Sequence, residues 1–246
     1  MAIEEHAPRL ILWDIDHTLI DTRGAGSQFA RAAFAEITGI SPEHMATATG
    51  KTEPVILAET LRAHGIEPTD EYQQRYAQAL PDQYRRHADQ LRRQGHALPG
   101  AAAAIAALDQ VPGVIQTVLT GNYKAVAAIK LAVFDLDRLL DLDIGAYADD
   151  APDRAALVAI AQQQATTRYA CPFSRTNTII IGDTTHDITA ARHGGAGVIA
   201  IATGSGTPDQ LRAAGAHHVL SNLTDPAALI KAIDSQTCPT EDRSGQ

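Results

Sequence analysis

Cysteine is scarce in this chain of 246 residues, in which only Cys171 and Cys238 occur. Two cysteines cannot provide the disulfide framework of a small secreted protein, so we predict a reducing cytoplasm as the location. The first ten residues, MAIEEHAPRL, also lack a basic segment followed by an apolar one. We therefore expect no secretory signal peptide at this end of the chain.

Long apolar runs and an excess of basic residues are absent as well. No apolar run approaches the ~18 residues that a membrane-spanning helix needs, so we expect no membrane as a partner. The 20 lysine and arginine residues are outnumbered by 29 aspartate and glutamate residues, and the formal net charge is -9. Because this charge repels phosphate backbones, we also expect no nucleic acid as a partner.

The remaining composition is that of a globular protein. Hydrophobic residues make up 45% of the chain and charged residues 20%, although aromatic residues contribute only 4%. These proportions exclude a disordered or a fibrous protein. The length fits one large domain, or a core domain with a second small one.

Short apolar runs rich in valine or isoleucine alternate with helical patterns along most of the chain. Such runs are typical of strands that are buried on both faces of a parallel sheet. The predicted strands cover residues 10–13, 114–119, 178–181 and 198–201. The predicted helices cover residues 101–108, 124–134, 154–164, 187–193 and 208–214. This alternation predicts an α/β fold with a doubly wound parallel sheet.

One interval departs from this alternation. Residues 22–94 contain no strand-like run. The helical segments within them cover residues 27–38, 53–63 and 69–94. We predict that this interval is an inserted all-helical domain, and that residues 1–21 and 95–235 form the α/β core. The last residues, 236–246, are polar and without periodicity, so we predict a disordered tail.

The first predicted strand ends on two aspartates, Asp14 and Asp16, within the sequence LILWDIDHTL. In open α/β sheets, ligands bind beyond the carboxyl ends of the strands, so residues there are both rigidly held and accessible. An aspartate at this point can also simply open a turn or cap a helix. Taken alone, the pair leaves both interpretations open.

A second strand end also carries carboxylates. Asp183 follows the strand at 178–181, and Asp187 lies four residues further on. Together with Asp14 and Asp16, these residues would form a cluster of like charge that needs a cation for stability. Hard carboxylate oxygens select Mg²⁺, so we predict a magnesium site at this edge of the sheet.

A third strand end carries Thr120-Gly121-Asn122. The Thr120 hydroxyl and nearby main-chain N–H groups are donors that suit a phosphate group. A carboxylate that is held against Mg²⁺ and faces a bound phosphoryl group is a suitable nucleophile, because the metal neutralises the charge that would repel it. The three strand ends together therefore indicate phosphoryl chemistry.

The polar segments that follow three of the predicted strands resemble, in their order along the chain, the motifs of the haloacid dehalogenase-like (HAD) superfamily. The resemblance is to its phosphoglycolate-phosphatase-like branch in particular. The matching segments are Asp14-Ile15-Asp16-His17-Thr18, Thr120-Gly121-Asn122 and Gly182-Asp183-x-x-x-Asp187. Each segment is a weak signal alone, but three in order form a specific one. The resemblance covers residues 9–230 and implies a Rossmannoid core whose helical insert is a C1 cap, a lid over the site.

The resemblance also implies roles for these residues. Asp14 would be the nucleophile that forms an aspartyl-phosphate, and Asp16 would protonate the leaving alkoxide and then activate water. The Asp14 carboxylate, the Asp16 main-chain carbonyl and Asp183 would bind Mg²⁺, with Asp187 as a further ligand or an orienting residue. Thr120 would hold the phosphate.

The family usually has a lysine at the start of the helix before the last motif, and this chain has none in the corresponding segment, 145–154. Arg154 is our candidate for the basic catalytic residue, with Lys130 as the alternative. Arg154 is equally compatible with an exposed position in the first turn of a helix.

Six residues are predicted to contact the substrate. Lys51, in the polar turn Thr49-Gly50-Lys51-Thr52 of the insert, would bind a substrate carboxylate, although a solvated lysine at a helix start is nearly as compatible. Asn122 could instead cap the helix that begins near residue 124. The full set is His17, Thr18, Lys51, Gly121, Asn122 and Lys130.

The predicted function is hydrolysis of a small phosphorylated metabolite, resembling phosphoglycolate, by a Mg²⁺-dependent phosphatase through an aspartyl-phosphate. Two alternatives stay open at this point. One is a phosphomutase of the same fold, which returns the phosphoryl group to another hydroxyl of the substrate. The other is a non-catalytic protein of the HAD fold that binds a phosphorylated ligand or a partner. We expect a monomer or a homodimer.

Overall fold

The computed structural model describes residues 8–236 as a parallel sheet covered by helices on both faces. In chain order the strands are β1 (Arg9–Trp13), β2 (Ile20–Asp21), β3 (His96–Ala97), β4 (Val114–Val118), β5 (Thr178–Gly182), β6 (Gly197–Ile201) and β7 (His218–Leu220). The helices are α1 (Ala25–Thr38), α2 (Glu53–Ala63), α3 (Asp70–Arg86), α4 (Ala88–Gln94), α5 (Ala101–Asp109), α6 (Lys124–Val133), α7 (Arg154–Tyr169), α8 (Thr185–Gly194), α9 (Pro208–Ala213) and α10 (Pro226–Gln236).

The five-stranded sheet has the order β4-β1-β5-β6-β7, and every neighbouring pair is parallel. Strand β1 lies between β4 and β5, so the carboxyl ends of these three strands meet at one edge of the sheet. All the predicted strands are confirmed to within a residue or two. These strands are apolar at successive positions because alternate residues of each strand pack into hydrophobic clusters on opposite faces of the sheet.

The helices cover the two faces of the sheet. On one face, Ile11 and Trp13 of β1 pack with side chains of α5, α6 and α10. On the other, Leu10 and Leu12 pack with side chains of α7, α8 and α9. The predicted fold class, a doubly wound α/β core with a helical insert, is thereby confirmed.

Helices α1 to α4 are inserted between β2 and β3, which pair in an antiparallel manner where the chain leaves and re-enters the core. The insert has a hydrophobic cluster in which Phe29, Phe34 and Leu57 are buried, and this cluster continues into the core through Val126 of α6. The prediction of one helix over residues 69–94 is wrong, because α3 ends at Arg86 and α4 begins at Ala88. The boundaries of the two domains stay a prediction.

Two elements near the end of the described chain were not predicted. Strand β7 is only three residues long and begins with a histidine, and α10 lies next to the polar end of the sequence. Of the predicted tail, Gln236 is the last residue of α10, and residues 237–246 lie outside the described residues. None of the helices between residues 8 and 236 is both long and apolar enough to cross a membrane.

Candidate active site

The carboxyl end of β1 places Asp14 and Asp16 at the edge of the sheet. The Asp14 main-chain N–H donates to the Ile181 carbonyl oxygen at 2.9 Å, so the pairing of β1 with β5 continues to the aspartate. The chain then turns sharply, and His17 has a left-handed backbone with φ 61°. Glycine adopts this conformation most readily, and a residue other than glycine is uncommon there.

Three carboxylates from two strand ends form a buried cluster. One carboxylate oxygen from each of Asp14, Asp183 and Asp187 lies within 4.8 Å of the others. All three side chains are buried. Like charges at this separation repel each other unless protons or a cation neutralise them. The atoms that could bind a metal ion here are all hard carboxylate oxygens. The cluster therefore fits a divalent cation such as Mg²⁺ or Mn²⁺.

Burial, together with the neighbouring carboxylates, raises the pKa values of two of these carboxyl groups. Burial raises the pKa of Asp14 to about 6; the charge of Asp187 adds to the shift and that of Arg154 opposes it. Burial raises the pKa of Asp183 to about 8, with further contributions from Asp14 and Asp187. Without a cation, the cluster thus holds protons at a pH where isolated aspartates have lost them.

Arg154 supplies positive charge to this cluster. Its Nη2 atom donates to Asp14 Oδ1 at 2.7 Å and to Asp187 Oδ1 at 2.6 Å. The residue is the first of α7, and Asp153 caps that helix by accepting from the Ala155 N–H. Arg154 Nε is buried and has no hydrogen-bond partner among the described residues. This arrangement places Arg154 beside the predicted nucleophile.

The Asp187 carboxylate accepts hydrogen bonds from the capping box of α8 and from Arg154. Its Oδ2 atom accepts from the N–H and the hydroxyl of Thr184, at 3.0 Å and 2.7 Å, in the capping box of α8. Its Oδ1 atom accepts from Arg154. Both oxygens are thus engaged, which favours an orienting role for Asp187 over that of a primary metal ligand.

Asp16 belongs to a separate network on the other side of the site. Lys130 Nζ donates to both of its carboxylate oxygens at 2.8 Å, and Asn122 Nδ2 donates to Oδ2 at 2.8 Å. Burial alone would raise the pKa of Asp16, but the charge and hydrogen bonds of Lys130, with the Asn122 bond, lower it below its usual value. Lys130 therefore contacts Asp16, and its predicted contact with substrate stays a prediction.

Asn122 and Thr120 complete this network. Asn122 Oδ1 accepts from Lys130 Nζ at 2.8 Å, and Asn122 Nδ2 also donates to Thr120 Oγ1 at 2.7 Å. The alternative role of Asn122 as a helix cap is wrong, because Tyr123 occupies the N-cap of α6, and the N–H of Lys124 at the start of that helix donates to Asp149 Oδ2 at 2.6 Å. Thr18 lies beside the carboxylate cluster, where its hydroxyl donates to Asp183 Oδ1 at 3.3 Å, and its predicted contact with substrate stays a prediction.

A cavity of about 330 Å³ opens above these residues, between the core and the helical insert. The turn that contains Lys51 lies against the core, and a side chain at Gly121 would come within 2.3 Å of the Lys51 carbonyl oxygen. Lys51 Nζ pairs with Glu59 Oε2 at 2.5 Å, so its charge is already partly neutralised. Its predicted contact with a substrate carboxylate stays a prediction.

Comparison with known proteins shows the family to which the chain belongs. The sequence model of haloacid dehalogenase-like hydrolases matches residues 11–192, a range that contains all the strand-end residues described above. The chain belongs to this family. No curated protein sequence matches it significantly.

Several solved structures share the fold. A hydrolase from Pseudomonas syringae is 24% identical, with a TM-score of 0.63 over 93% of this chain and 98% of its own. A protein named as a predicted phosphoglycolate phosphatase, from Haemophilus somnus, is 17% identical, with a TM-score of 0.64 over 91% and 98%. A protein named as a β-phosphoglucomutase, from Bacteroides vulgatus, is 16% identical, with a TM-score of 0.62 over 96% and 93%. At these identities the similarity establishes the fold alone.

Three residues of this HAD-family site were not predicted from the sequence. Glu53 and Tyr84 line the cavity from the insert, and nothing in their local sequence distinguishes them from other helical residues. Gly204, which lies beyond the end of β6, adjoins the carboxylate cluster. A side chain there would overlap Asp183 Oδ2 at 1.6 Å, so glycine at this position leaves room for the carboxylate.

Proposed function

We propose that this HAD-family hydrolase is a Mg²⁺-dependent phosphatase that cleaves a small phosphate monoester through an aspartyl-phosphate on Asp14. One observation carries the proposal. Asp14 lies within 4.8 Å of Asp183 and Asp187, accepts a hydrogen bond from Arg154, and lines a cavity that Asp16 also lines. A nucleophile, a cation site, a fixed positive charge and a proton donor are the groups that phosphoryl transfer requires.

Asp14 and Asp183 would hold the metal, with the Asp16 main-chain carbonyl as a further ligand. When bound, Mg²⁺ neutralises the charge of the phosphoryl oxygens and lowers the repulsion between them and an incoming carboxylate. The remaining chemistry belongs to the side chains of the chain. Arg154 adds a second positive charge beside Asp14.

In the first half of the reaction an Asp14 oxygen forms a bond to phosphorus, and the bond from phosphorus to the alcohol oxygen breaks. The departing alkoxide takes a proton from Asp16. In the second half, a water oxygen attacks the phosphorus of the aspartyl-phosphate, its proton passes to Asp16, and Asp14 is regenerated as phosphate leaves. Asp16 thus acts first as acid and then as base.

The protonation state of Asp16 differs between these halves. In the free protein Lys130 lowers the pKa of Asp16, so the carboxylate form required for water activation is favoured. Donation to the leaving group requires the protonated form. The negative charge of a bound phosphoryl group beside Asp16 favours that form, because like charges raise the pKa of a carboxyl group.

The test of this function is release of inorganic phosphate from p-nitrophenyl phosphate and from a panel of small phosphate monoesters. We expect steady release that depends on Mg²⁺ and stops when the metal is chelated. Conversion of one phosphate isomer into another without net release would identify a phosphomutase instead. Binding of a phosphate analogue without turnover of any monoester would identify a non-catalytic protein.

Replacement of Asp16 by asparagine tests the acid–base assignment. With alkyl phosphates we expect kcat to fall about 10²- to 10⁴-fold, because the alkoxide loses its proton donor. Nitrophenolate is a good leaving group that needs no proton. With p-nitrophenyl phosphate, rapid mixing should therefore show a burst of nitrophenolate followed by slow turnover. Equal residual rates in the Asp14→Asn and Asp16→Asn variants would contradict the assignment.

The pKa shifts of the carboxylate cluster predict how pH affects stability. In the absence of metal, the pKa values of Asp14 and Asp183 lie above their ordinary value of 3.8, so bound protons stabilise the fold. This contribution is complete below pH about 4 and is lost as the pH rises through about 6 and then about 8.

Mg²⁺ replaces these protons, so it should stabilise the protein more at the upper end of this window. We expect the rise in Tm caused by Mg²⁺ to increase between pH about 6 and about 8. Thermal unfolding with and without the metal across the window measures this difference. A Tm difference that stays constant or shrinks with rising pH would contradict metal binding at these carboxylates.

A further inference from the structure

The cavity between insert and core has an uneven distribution of charge. Three of its lysine and arginine side chains are engaged with carboxylates, namely Lys51 with Glu59, Lys130 with Asp16, and Arg154 with Asp14 and Asp187. The remaining basic residue, His17, is exposed at the strand end. The described lining therefore offers no unpaired lysine or arginine to a carboxylate on the substrate.

Glu53 differs from these residues because its side chain has no partner. It lines the cavity, and no hydrogen bond or ion pair of its carboxylate occurs among residues 8–236. Burial raises its pKa to about 7, with the charge of Lys130 opposing and that of Asp16 adding to the shift. Since the side chain is only partly buried in the cavity wall, its carboxylate can accept hydrogen bonds from water or from a ligand.

The backbone fixes Glu53 next to the predicted phosphate position. Its N–H donates to the Gly121 carbonyl oxygen at 2.8 Å, and Gly121 follows Thr120 directly. The preceding residue, Thr52, donates its hydroxyl to the Pro152 carbonyl oxygen at 2.9 Å. Two contacts to the core thus hold the first turn of α2 in place. The Glu53 side chain lines the same cavity as the predicted phosphate-binding residues.

The other side chains that the insert contributes are mostly small, apolar or uncharged. Ala30, Met45, Ala46 and Ile56 line the cavity, together with the hydroxyl-bearing residues Ser27 and Tyr84. Such a lining accommodates a short carbon chain and adds no positive charge. Among the described residues that the insert contributes to this lining, the charged ones are Lys51, which is paired with Glu59, and Glu53, which is not paired.

We propose that Glu53 is a specificity-determining residue that selects phosphate monoesters whose alcohol carries hydroxyl or ammonium groups and rejects those that carry a carboxylate. This proposal rests on the proposed phosphatase function and narrows its substrate class. A hydroxyl or ammonium group donates to the Glu53 carboxylate. At a pH above the Glu53 pKa of about 7, a substrate carboxylate would face it as an unpaired like charge, which lowers affinity.

Three two-carbon monoesters that differ only in their far end provide the test. Phosphoglycolate ends in a carboxylate, 2-hydroxyethyl phosphate in a hydroxyl, and phosphoethanolamine in an ammonium group. We expect kcat/KM of the wild-type protein for at least one of the latter two to exceed that for phosphoglycolate by about tenfold or more. The ratio between the hydroxyl and ammonium esters shows which donor Glu53 prefers.

Substitution of Glu53 should change this order without removing the chemistry. In the Glu53→Gln variant we expect kcat/KM for phosphoglycolate to rise and that for phosphoethanolamine to fall, each by about tenfold. Glu53→Asp keeps the charge and should keep the wild-type order, which also checks that the start of α2 folds. The matched control is Glu71→Gln, an exposed first-turn glutamate of α3, which should leave all three values unchanged.

Two results would overturn this proposal while leaving the phosphatase function intact. One is a wild-type preference for phosphoglycolate, especially one that is lost in Lys51→Met, since Lys51 would then bind the carboxylate. The other is an equal effect of Glu53→Gln on all three esters. Failure to release phosphate from p-nitrophenyl phosphate in the presence of Mg²⁺ would overturn both proposals together.

Discussion

Replacing Asp14 by asparagine is expected to reduce phosphate release from p-nitrophenyl phosphate by about 10⁴-fold or more, because the amide oxygen cannot form the aspartyl-phosphate. The same change removes one negative charge from the buried carboxylate cluster, where Asp14 is only 5% exposed. Since burial and the charge of Asp187 together disfavour that charge more than Arg154 stabilises it, the metal-free variant should have a Tm no lower than that of the wild type. Loss of activity without loss of stability would thus locate the effect in the chemistry.

The control for this experiment is Asp209→Asn. The Asp209 side chain is 97% exposed in the first turn of α9, so its replacement should leave both activity and Tm unchanged. An Asp14→Asn variant that keeps a tenth or more of the wild-type rate would contradict the assignment of Asp14 as nucleophile. Deamidation back to aspartate must be excluded by mass spectrometry of the assayed sample.

Replacing Arg154 by methionine is the second change with a large expected effect. The side chain is 10% exposed and donates to both Asp14 and Asp187. Its loss leaves buried carboxylates without their cation, and breaking a buried pair in this way costs about 3 to 5 kcal/mol of unfolding free energy. Activity should fall about 10²- to 10³-fold, since a fixed charge facing the phosphoryl group is lost.

Urea unfolding in the presence and absence of Mg²⁺ separates the two effects. We expect Mg²⁺ to restore part of the stability of Arg154→Met, because the metal neutralises the same carboxylates, while activity stays low. Arg168→Met is the matched control, a 62% exposed arginine in the last turn of the same helix. Wild-type stability and a rate within about twofold of wild type in Arg154→Met would contradict the role given to this residue.

The core of the fold was predictable because its strands are buried on both faces. A strand such as β1 must be apolar at every position, and this requirement produces an unbroken run that ends abruptly where the chain reaches the ligand-binding edge. The polar residues that follow three such runs could therefore be assigned to one site. Asp14 and Asp183, 169 residues apart in sequence, are confirmed to lie within 4.8 Å of one another.

The contacts within the site were harder to predict because they depend on how helices cross the sheet. Lys130 is 114 residues from Asp16, and the sequence offers no sign that a lysine within α6 is buried against that carboxylate. The sequence also gives no sign that the Glu53 carboxylate lacks a hydrogen-bond partner among the described residues. That property depends on which donor side chains the fold places near it. The spacing of apolar residues also failed to show the break between α3 and α4 at His87, because polar and apolar residues continue a helical pattern across it.

The most direct test of this account is a crystal structure of the protein with Mg²⁺ and beryllium fluoride, which mimics a phosphoryl group on an aspartate. The account predicts beryllium bonded to a carboxylate oxygen of Asp14, and Mg²⁺ coordinated by Asp14 and Asp183. It also predicts that Arg154 donates to a fluoride. Beryllium fluoride bound to another residue, or Asp183 outside coordinating distance of the metal, would contradict it.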